Sequence, residues 1–253
     1  MRSSTMGNID MMILVNTISF DKSSAMGDPV SQAKIYQSQA ADELIFLDID
    51  ANKHNNTKQL AEIIRSAANE IFMPITVGGG INNIDTIREL LLNGADKVSI
   101  NTAAFENKEF ISEASDCFGS QCIVVGIDYS KKTKDSQYKV FLKGGSVETK
   151  MDPVTYAIEA EKYGAGEILL TSIDMDGSQS GLDIEMTNLI SSEVSIPVIT
   201  SGGCGKANHF IQGFKEGKAS AVAAGTFFSY KDQNLMQTRA HIANAGIPIR
   251  IIT

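Results

Sequence analysis

From about residue 30 onward the chain alternates short runs rich in Ile, Val and Leu with longer stretches whose apolar positions recur at helical spacing. That alternation predicts repeated βα units and a parallel sheet. The apolar runs at 43–49, 73–77, 97–100, 121–127, 167–172, 196–200 and 219–223 are the expected strands, each ending in polar or Gly-rich sequence. Helices are expected between them at 56–68, 83–93, 107–117, 153–163 and 183–192, several opening on an Asn or Asp suited to capping. Seven strands are thus accounted for. An eighth, which would complete a (β/α)₈ barrel, has to lie first, near the N-terminus. The polar stretch at 131–151 reads as a hairpin-like insertion after the strand at 121–127.

A second regularity spans half the chain. The string at 47–50 (LDID) is echoed at 172–176 (SIDMD), placing Asp48 and Asp174 at a separation of 174 − 48 = 126. PITVGGG at 74–80 is echoed by PVITSGG at 197–203, with Gly78 and Gly202 at a separation of 202 − 78 = 124, and the segment 94–102 is answered by 218–226. Two similar halves of four βα units account for this period, whereas a solenoid would repeat every 20 to 50 residues. The fold class expected is α/β, a (β/α)₈ barrel built from two similar half-barrels.

Size and composition narrow the partners. The chain has 253 residues, 43% of them hydrophobic, enough for one barrel domain spanning 1–253. A formal charge of −8 argues against nucleic acid or an anionic membrane as the main partner, since both select for Lys/Arg stripes. Any phosphate site must therefore be local. Cys117, Cys122 and Cys204 are odd in number and widely spread, without zinc-ligand spacing, and read as reduced thiols of a cytoplasmic protein. The N-terminal apolar run at 11–15 is too short for a signal-peptide core or a membrane span. No cofactor or metal is expected.

In a parallel barrel the loops after the strands form the functional face, where Gly-rich turns let backbone N–H groups approach a phosphate. Gly78, Gly79 and Gly80 with Asn101 and Thr102 would make one such site. Gly177, Gly202, Gly203, Ala224 and Gly225 would make the other. Two related sites suit an elongated substrate phosphorylated at both ends, although such glycines also serve plain tight turns. Asp128 closes the strand at 121–127 and so should sit at the barrel mouth, in position for general acid or base chemistry. Asp48, Asp50, Asp174 and Asp176 occupy comparable strand ends, where capping or loop bracing is the simpler role. Thr171 and Ser172 offer hydroxyls for orienting a substrate or for loop bonding. Glu43, Lys97 and Glu167 stand at strand starts, at the opposite end of the barrel; charges pointing into a barrel need partners, so a salt-bridged layer is expected, as a plug or as a gate.

The strings GDPV (27–30), DELIFLDID (42–50), PITVGGGI (74–81), GADKVSINTAA (94–104), FGSQCIVVGID (118–128), GAGEILLTSIDMDGSQSG (164–181) and IPVITSGGCG (196–205) resemble the cyclase subunit of imidazole glycerol phosphate synthase. The resemblance covers about residues 27–228. It implies a two-fold repeated barrel that takes ammonia from a glutaminase (glutamine amidotransferase) partner in a heterodimer. The implied substrate is a doubly phosphorylated aminoimidazole ribonucleotide, and the products are imidazole glycerol phosphate and an aminoimidazole carboxamide ribonucleotide. Asp128 matches one of the family's two catalytic aspartates. Gly80, Asn101, Asp176, Gly177, Gly202 and Gly203 match phosphate or substrate contacts, and Glu43, Lys97 and Glu167 match the salt-bridge layer where ammonia enters.

The N-terminal segment departs from that family. Counting back from Gly27 without gaps puts Asn8 where the family carries its other catalytic aspartate, and Asn16 where it carries a basic phosphate-binding residue; Asp10 stands two positions away. Gly225 also replaces a usual Ser. The chain thus resembles divergent second copies from bacterial surface-polysaccharide gene sets. Two functions follow from the resemblance: a cyclase in which Asp128 works with Asp10, or a non-cyclising ammonia conduit serving nucleotide-sugar or lipopolysaccharide amidation.

Overall fold

The computed structural model describes residues 2–5, 12–20, 22–51, 57–133, 136–229 and 234–250. Its strands are β1 (Arg2–Thr5), β2 (Met12–Ile18), β3 (Lys22–Gly27), β4 (Leu44–Asp48), β5 (Ile75–Gly78), β6 (Lys97–Ile100), β7 (Ile123–Ser130), β8 (Lys139–Leu142), β9 (Val147–Glu148), β10 (Glu167–Ser172), β11 (Val198–Ser201) and β12 (Ala221–Ala223). Eight of them lie side by side in the order β12-β11-β10-β7-β6-β5-β4-β1, every neighbouring pair parallel. Helices α1 (Pro29–Ser38), α2 (Thr57–Ala68), α3 (Ile84–Leu92), α4 (Thr102–Glu106), α5 (Glu109–Phe118), α6 (Pro153–Lys162), α7 (Ile184–Glu193), α8 (Ala207–Lys215), α9 (Thr226–Ser229) and α10 (Leu235–Asn244) follow the strands. The fold is a (β/α)₈ barrel. Two antiparallel hairpins extend it: β2–β3 beside β1, and β8–β9 beside the end of β7.

Period-two alternation divides each barrel strand between two cores. Outward residues such as Val125, Ile127, Ile168 and Leu170 join helix residues Ile64, Ile87, Leu90, Ile111 and Ile190 in a large outer core. Inward residues Val124, Leu169 and Ile199, with Ile45, Leu47, Ala221 and Ala223 against them, form a small separate cluster inside the barrel. At roughly 1.5–3 kcal/mol per fully buried aliphatic side chain, the outer core supplies most of the stabilisation. The helices start where the sequence places their caps. Asn83, Asp152 and Asp183 accept backbone N–H bonds from Thr86, from Val154 and Thr155, and from Met186.

Two details differ from expectation. The segment 120–122 is a 3₁₀ turn, and β7 starts at Ile123 but runs on through Asp128 to Ser130. The extension exists because β8 pairs with it, Asp128 opposite Phe141 and Ser130 opposite Lys139, so Asp128 lies within a strand instead of closing one. The two-fold register is also shifted by one residue from the expected match. Leu47 pairs with Gly78 as Thr171 pairs with Ser201, so the counterpart of Gly202 is Gly79, at 202 − 79 = 123. Both adopt positive φ (109° and 94°), and a Cβ would come within 2.3 Å of the Asp48 carbonyl or 2.6 Å of the Ser172 carbonyl. Asn8 and Asp10 lie outside the described residues.

Candidate functional site

The C-terminal ends of the strands carry the expected polar residues. Asn101 follows β6 directly, and its Nδ2 donates to Asp128 Oδ2 at 2.8 Å. Asp128 shares strand parity with the inward Val124, and at Gly126 between them a Cβ would make only ordinary contact, 3.5 Å from Asn101 Cβ. Asp128 is not the N-cap residue of any helix among the described residues; a carboxylate there can accept from an amide and exchange a proton at the mouth. Gly80 has φ +68, and a Cβ would meet that of Ala51 at 2.8 Å. Thr102 Oγ1 accepts the backbone N–H of Lys143, at the tip of the β8–β9 hairpin, at 3.1 Å.

The second half supplies a matching set. Gly202 and Gly203 turn the chain after β11, and Gly203 sits so close to the loop after β10 that a Cβ would lie 1.9 Å from the Gly181 carbonyl. Gly181 N–H donates to the Gly203 carbonyl at 2.9 Å, locking the two loops together. Gly177 has φ +70 and would drive a Cβ to 2.4 Å from the Thr17 carbonyl. Asp176 accepts from Thr17 Oγ1 at 2.7 Å and from the Phe20 N–H at 3.5 Å. Thr171 is buried on the inward side of β10, while Gly225 is exposed after β12, its carbonyl accepting from Phe228 N–H and Ser229 Oγ.

A cavity of about 430 Å³ runs from this half of the mouth along both faces of β12, bounded on one side by the barrel interior and on the other by Tyr36, Phe210, Phe228 and Leu235 of the surrounding helices. Thr171, Asp176, Gly177, Gly202, Gly203 and Gly225 line its upper part, Leu47, Leu169, Ile199 and Ala221 its middle, and Glu43 its base. Gly80, Asn101, Thr102 and Asp128 are not among its lining residues. At the base Lys97 Nζ donates to Glu43 Oε2 at 2.9 Å and Glu167 Oε1 at 2.8 Å, and Thr76 Oγ1 donates to Glu43 Oε1 at 2.6 Å. The three charged side chains are mostly covered, between 19% and 27% exposed. Burial lowers the Lys97 pKa, but the hydrogen bonds to Glu167 and Glu43 outweigh it and hold the ammonium above its ordinary value. Lys97 is therefore a fixed cation, bridging two strands' carboxylates.

Other strand-end carboxylates brace loops. Asp174 accepts from Ser130 Oγ and Lys131 N–H, and Asp48 from the Asp50 N–H. Two site neighbours had no sequence signal. Thr17 lies in the divergent N-terminal segment, and His209 sits on α8 with Nδ1 accepting the Gly205 N–H at 3.1 Å. Burial and the charge of Lys206 both hold His209 below the usual imidazole pKa, in keeping with an acceptor nitrogen. Among the described residues no group of His, Cys, Asp and Glu could hold a metal, and no helix is long and apolar enough to cross a membrane.

Residues 10–233 match the family model described as histidine biosynthesis protein. The chain is 41% identical over 244 residues to the imidazole glycerol phosphate synthase subunit HisF of Clostridium botulinum (strain Okra / Type B1), covering 96% of each. It is 42% identical to the protein of the same name from the Kyoto / Type A2 strain, also covering 96% of each. It is 45% identical over 239 residues to a Prochlorococcus marinus (strain MIT 9313) protein provisionally named imidazole glycerol phosphate synthase subunit hisF2, covering 94% of this chain and 90% of that one.

Proposed function

The chain belongs to the histidine biosynthesis protein family, and from that premise we propose that it is the cyclase subunit of an imidazole glycerol phosphate synthase. In this reading the ammonia-dependent lyase step takes place at the mouth. One phosphate of the substrate rests on Gly80, Asn101 and Thr102, the other on Gly177, Gly202, Gly203 and Gly225, with Asp176 and Thr171 beside the second. Backbone N–H groups at positive-φ glycines are suited to this because no Cβ holds the phosphate away. Asp128 moves the proton, oriented by the Asn101 amide. Asp10 is the candidate for the complementary acid.

The observation that carries the proposal is the continuity of the cavity from Gly202 and Gly203 to Glu43. Its apolar middle suits neutral ammonia and opposes ammonium, whose charge is costly to desolvate. The glutaminase partner would therefore dock at the end bearing Lys97, Glu43 and Glu167. Lys97 holds its proton firmly, so it acts as a charged seal that must shift for ammonia to pass. A non-cyclising conduit would use the same base and account for Asn8 and Asn16, but the relatives, all named as synthase subunits, do not favour it.

The test is turnover of the aminoimidazole intermediate by purified protein with an ammonium salt, followed by absorbance. Turnover lost in Asp128→Asn and in Asp10→Asn supports the two-acid cyclase. Tight binding of the intermediate without turnover, together with stimulation of a glutaminase, would replace it by the conduit.

A further inference from the structure

The cradle assigned to the first phosphate is made of neutral donors: the backbone at Gly80, the amide of Asn101 and the hydroxyl of Thr102. A dianion held there would gain further from a cation, because charge-assisted hydrogen bonds are about twice as strong as neutral ones. We propose that Lys143, at the tip of the β8–β9 hairpin, is that cation and determines preference for a substrate phosphorylated at this end. The proposal rests on the cyclase reading above.

Three observations place it there. The backbone N–H of Lys143 is bonded to Thr102 Oγ1 at 3.1 Å, so the base of its side chain is fixed at the edge of the cradle. A lysine stem spans several ångströms, so its ammonium can reach a phosphate on Thr102 without movement of the hairpin. The tip is also held from the other side of the mouth. A Cβ at Gly145 would lie 3.2 Å from Phe20 Cδ2 and 3.4 Å from Ile173 Cδ1, and Phe20 N–H in turn bonds Asp176. The turn is built by three consecutive positive φ values, 53° at Lys143, 65° at Gly144 and 84° at Gly145. A lysine in that conformation is strained relative to glycine or asparagine, which means its side chain is kept at some cost.

The ammonium is meanwhile placed against Glu106 Oε1 at 3.9 Å, with both side chains about half exposed, 52% and 57%. An exposed pair of that length contributes little, so a phosphate with two charges can take the lysine from it. Glu106 competes for the cation, and the two residues together make a simple exchange: carboxylate without ligand, phosphate with it.

The experiment is calorimetric titration of the full chain with the doubly phosphorylated aminoimidazole intermediate at low and high salt. Lys143→Asn removes the charge in a residue that tolerates positive φ, and melting temperature checks that the hairpin survives. The expected results are about tenfold weaker binding and a shallower salt dependence in Lys143→Asn, near-normal binding in Lys143→Arg, and tighter binding in Glu106→Gln. Unchanged affinity and salt dependence in Lys143→Asn, with normal wild-type binding, would overturn the role of Lys143 alone. Absence of wild-type binding would overturn the phosphate cradle, and Lys143 with it.

Discussion

Thr17 Oγ1 donates to Asp176 Oδ2 at 2.7 Å across 159 positions of sequence. The bond fastens the β2–β3 hairpin, in the first part of the chain, to the loop after β10, in the second. Ser19 N–H adds a bond to the Asp176 carbonyl at 3.0 Å, and Gly177 admits the Thr17 carbonyl only because it lacks a Cβ. The aspartate beside the proposed second phosphate site is thus positioned by a residue from the other half.

Thr17→Val keeps the shape of the side chain and removes the donor. It should cost about 1–2 kcal/mol of stability in urea denaturation, since a hydrogen bond to a charged group is lost in a partly covered site. Substrate affinity should fall with it. An unchanged unfolding midpoint and unchanged affinity would show that the hairpin is held by its backbone bonds alone.

Asp128→Asn should lower ammonia-dependent turnover by about 10²- to 10⁴-fold, the usual contribution of one general acid or base. Because the amide keeps the size of the side chain, binding of the intermediate should change far less. Steady-state kinetics paired with calorimetry separates the two; equal loss of binding and turnover would assign Asp128 to substrate positioning.

Lys97 gives a pH signature. Its folded-state pKa is raised, so its ion pairs stabilise the fold fully below the unfolded lysine value of roughly 10.4, and that stabilisation is lost as pH rises through the folded value above it. Melting temperature should therefore hold from neutral pH to about 10 and fall beyond. Lys97→Met should lack that alkaline step. It should also be less stable at neutral pH, by about 1–3 kcal/mol after allowing for partial exposure, because Glu43 and Glu167 are left facing each other.

The cysteines provide a check on packing. Cys204 is buried and its thiol is pushed up to about 12 by burial, whereas Cys117 is exposed. An aromatic disulfide reagent at pH 8 should label Cys117 in the native protein and reach Cys204 only on unfolding. Rapid native labelling of Cys204 would mean that the loop after β11 opens.

Most of the architecture was legible because its signals are local and periodic. The seven expected apolar runs each overlap a barrel strand, and Asn83, Asp152 and Asp183 cap the helices they precede. The charged layer was legible too, since Glu43, Lys97 and Glu167 fall at strand starts whose parity the neighbouring residues determine. What sequence could not supply was pairing between distant segments. The extension of β7 past Asp128 depends on β8, whereas the match of Gly79 with Gly202 was already present in the strings PITVGGG and PVITSGG and agrees with the strand register. The contact of Thr17 is tertiary and that of His209 with Gly205 is a local turn bond, neither marked by any periodicity. Roles at the mouth were carried by family resemblance, which thins out at Asn8 and Asn16.

The two cores separated by the barrel wall have a consequence for how such a chain can change through descent. Odd and even positions of a strand answer to different selection. Val125 and Ile127 face the helices and are answerable to folding; Val124, Gly126 and Asp128, one step away, face the interior, where the proposed site lies. A duplicated gene can therefore drift at positions of one parity while the other keeps the protein folded. The divergence that matters in this lineage should be sought in every second residue.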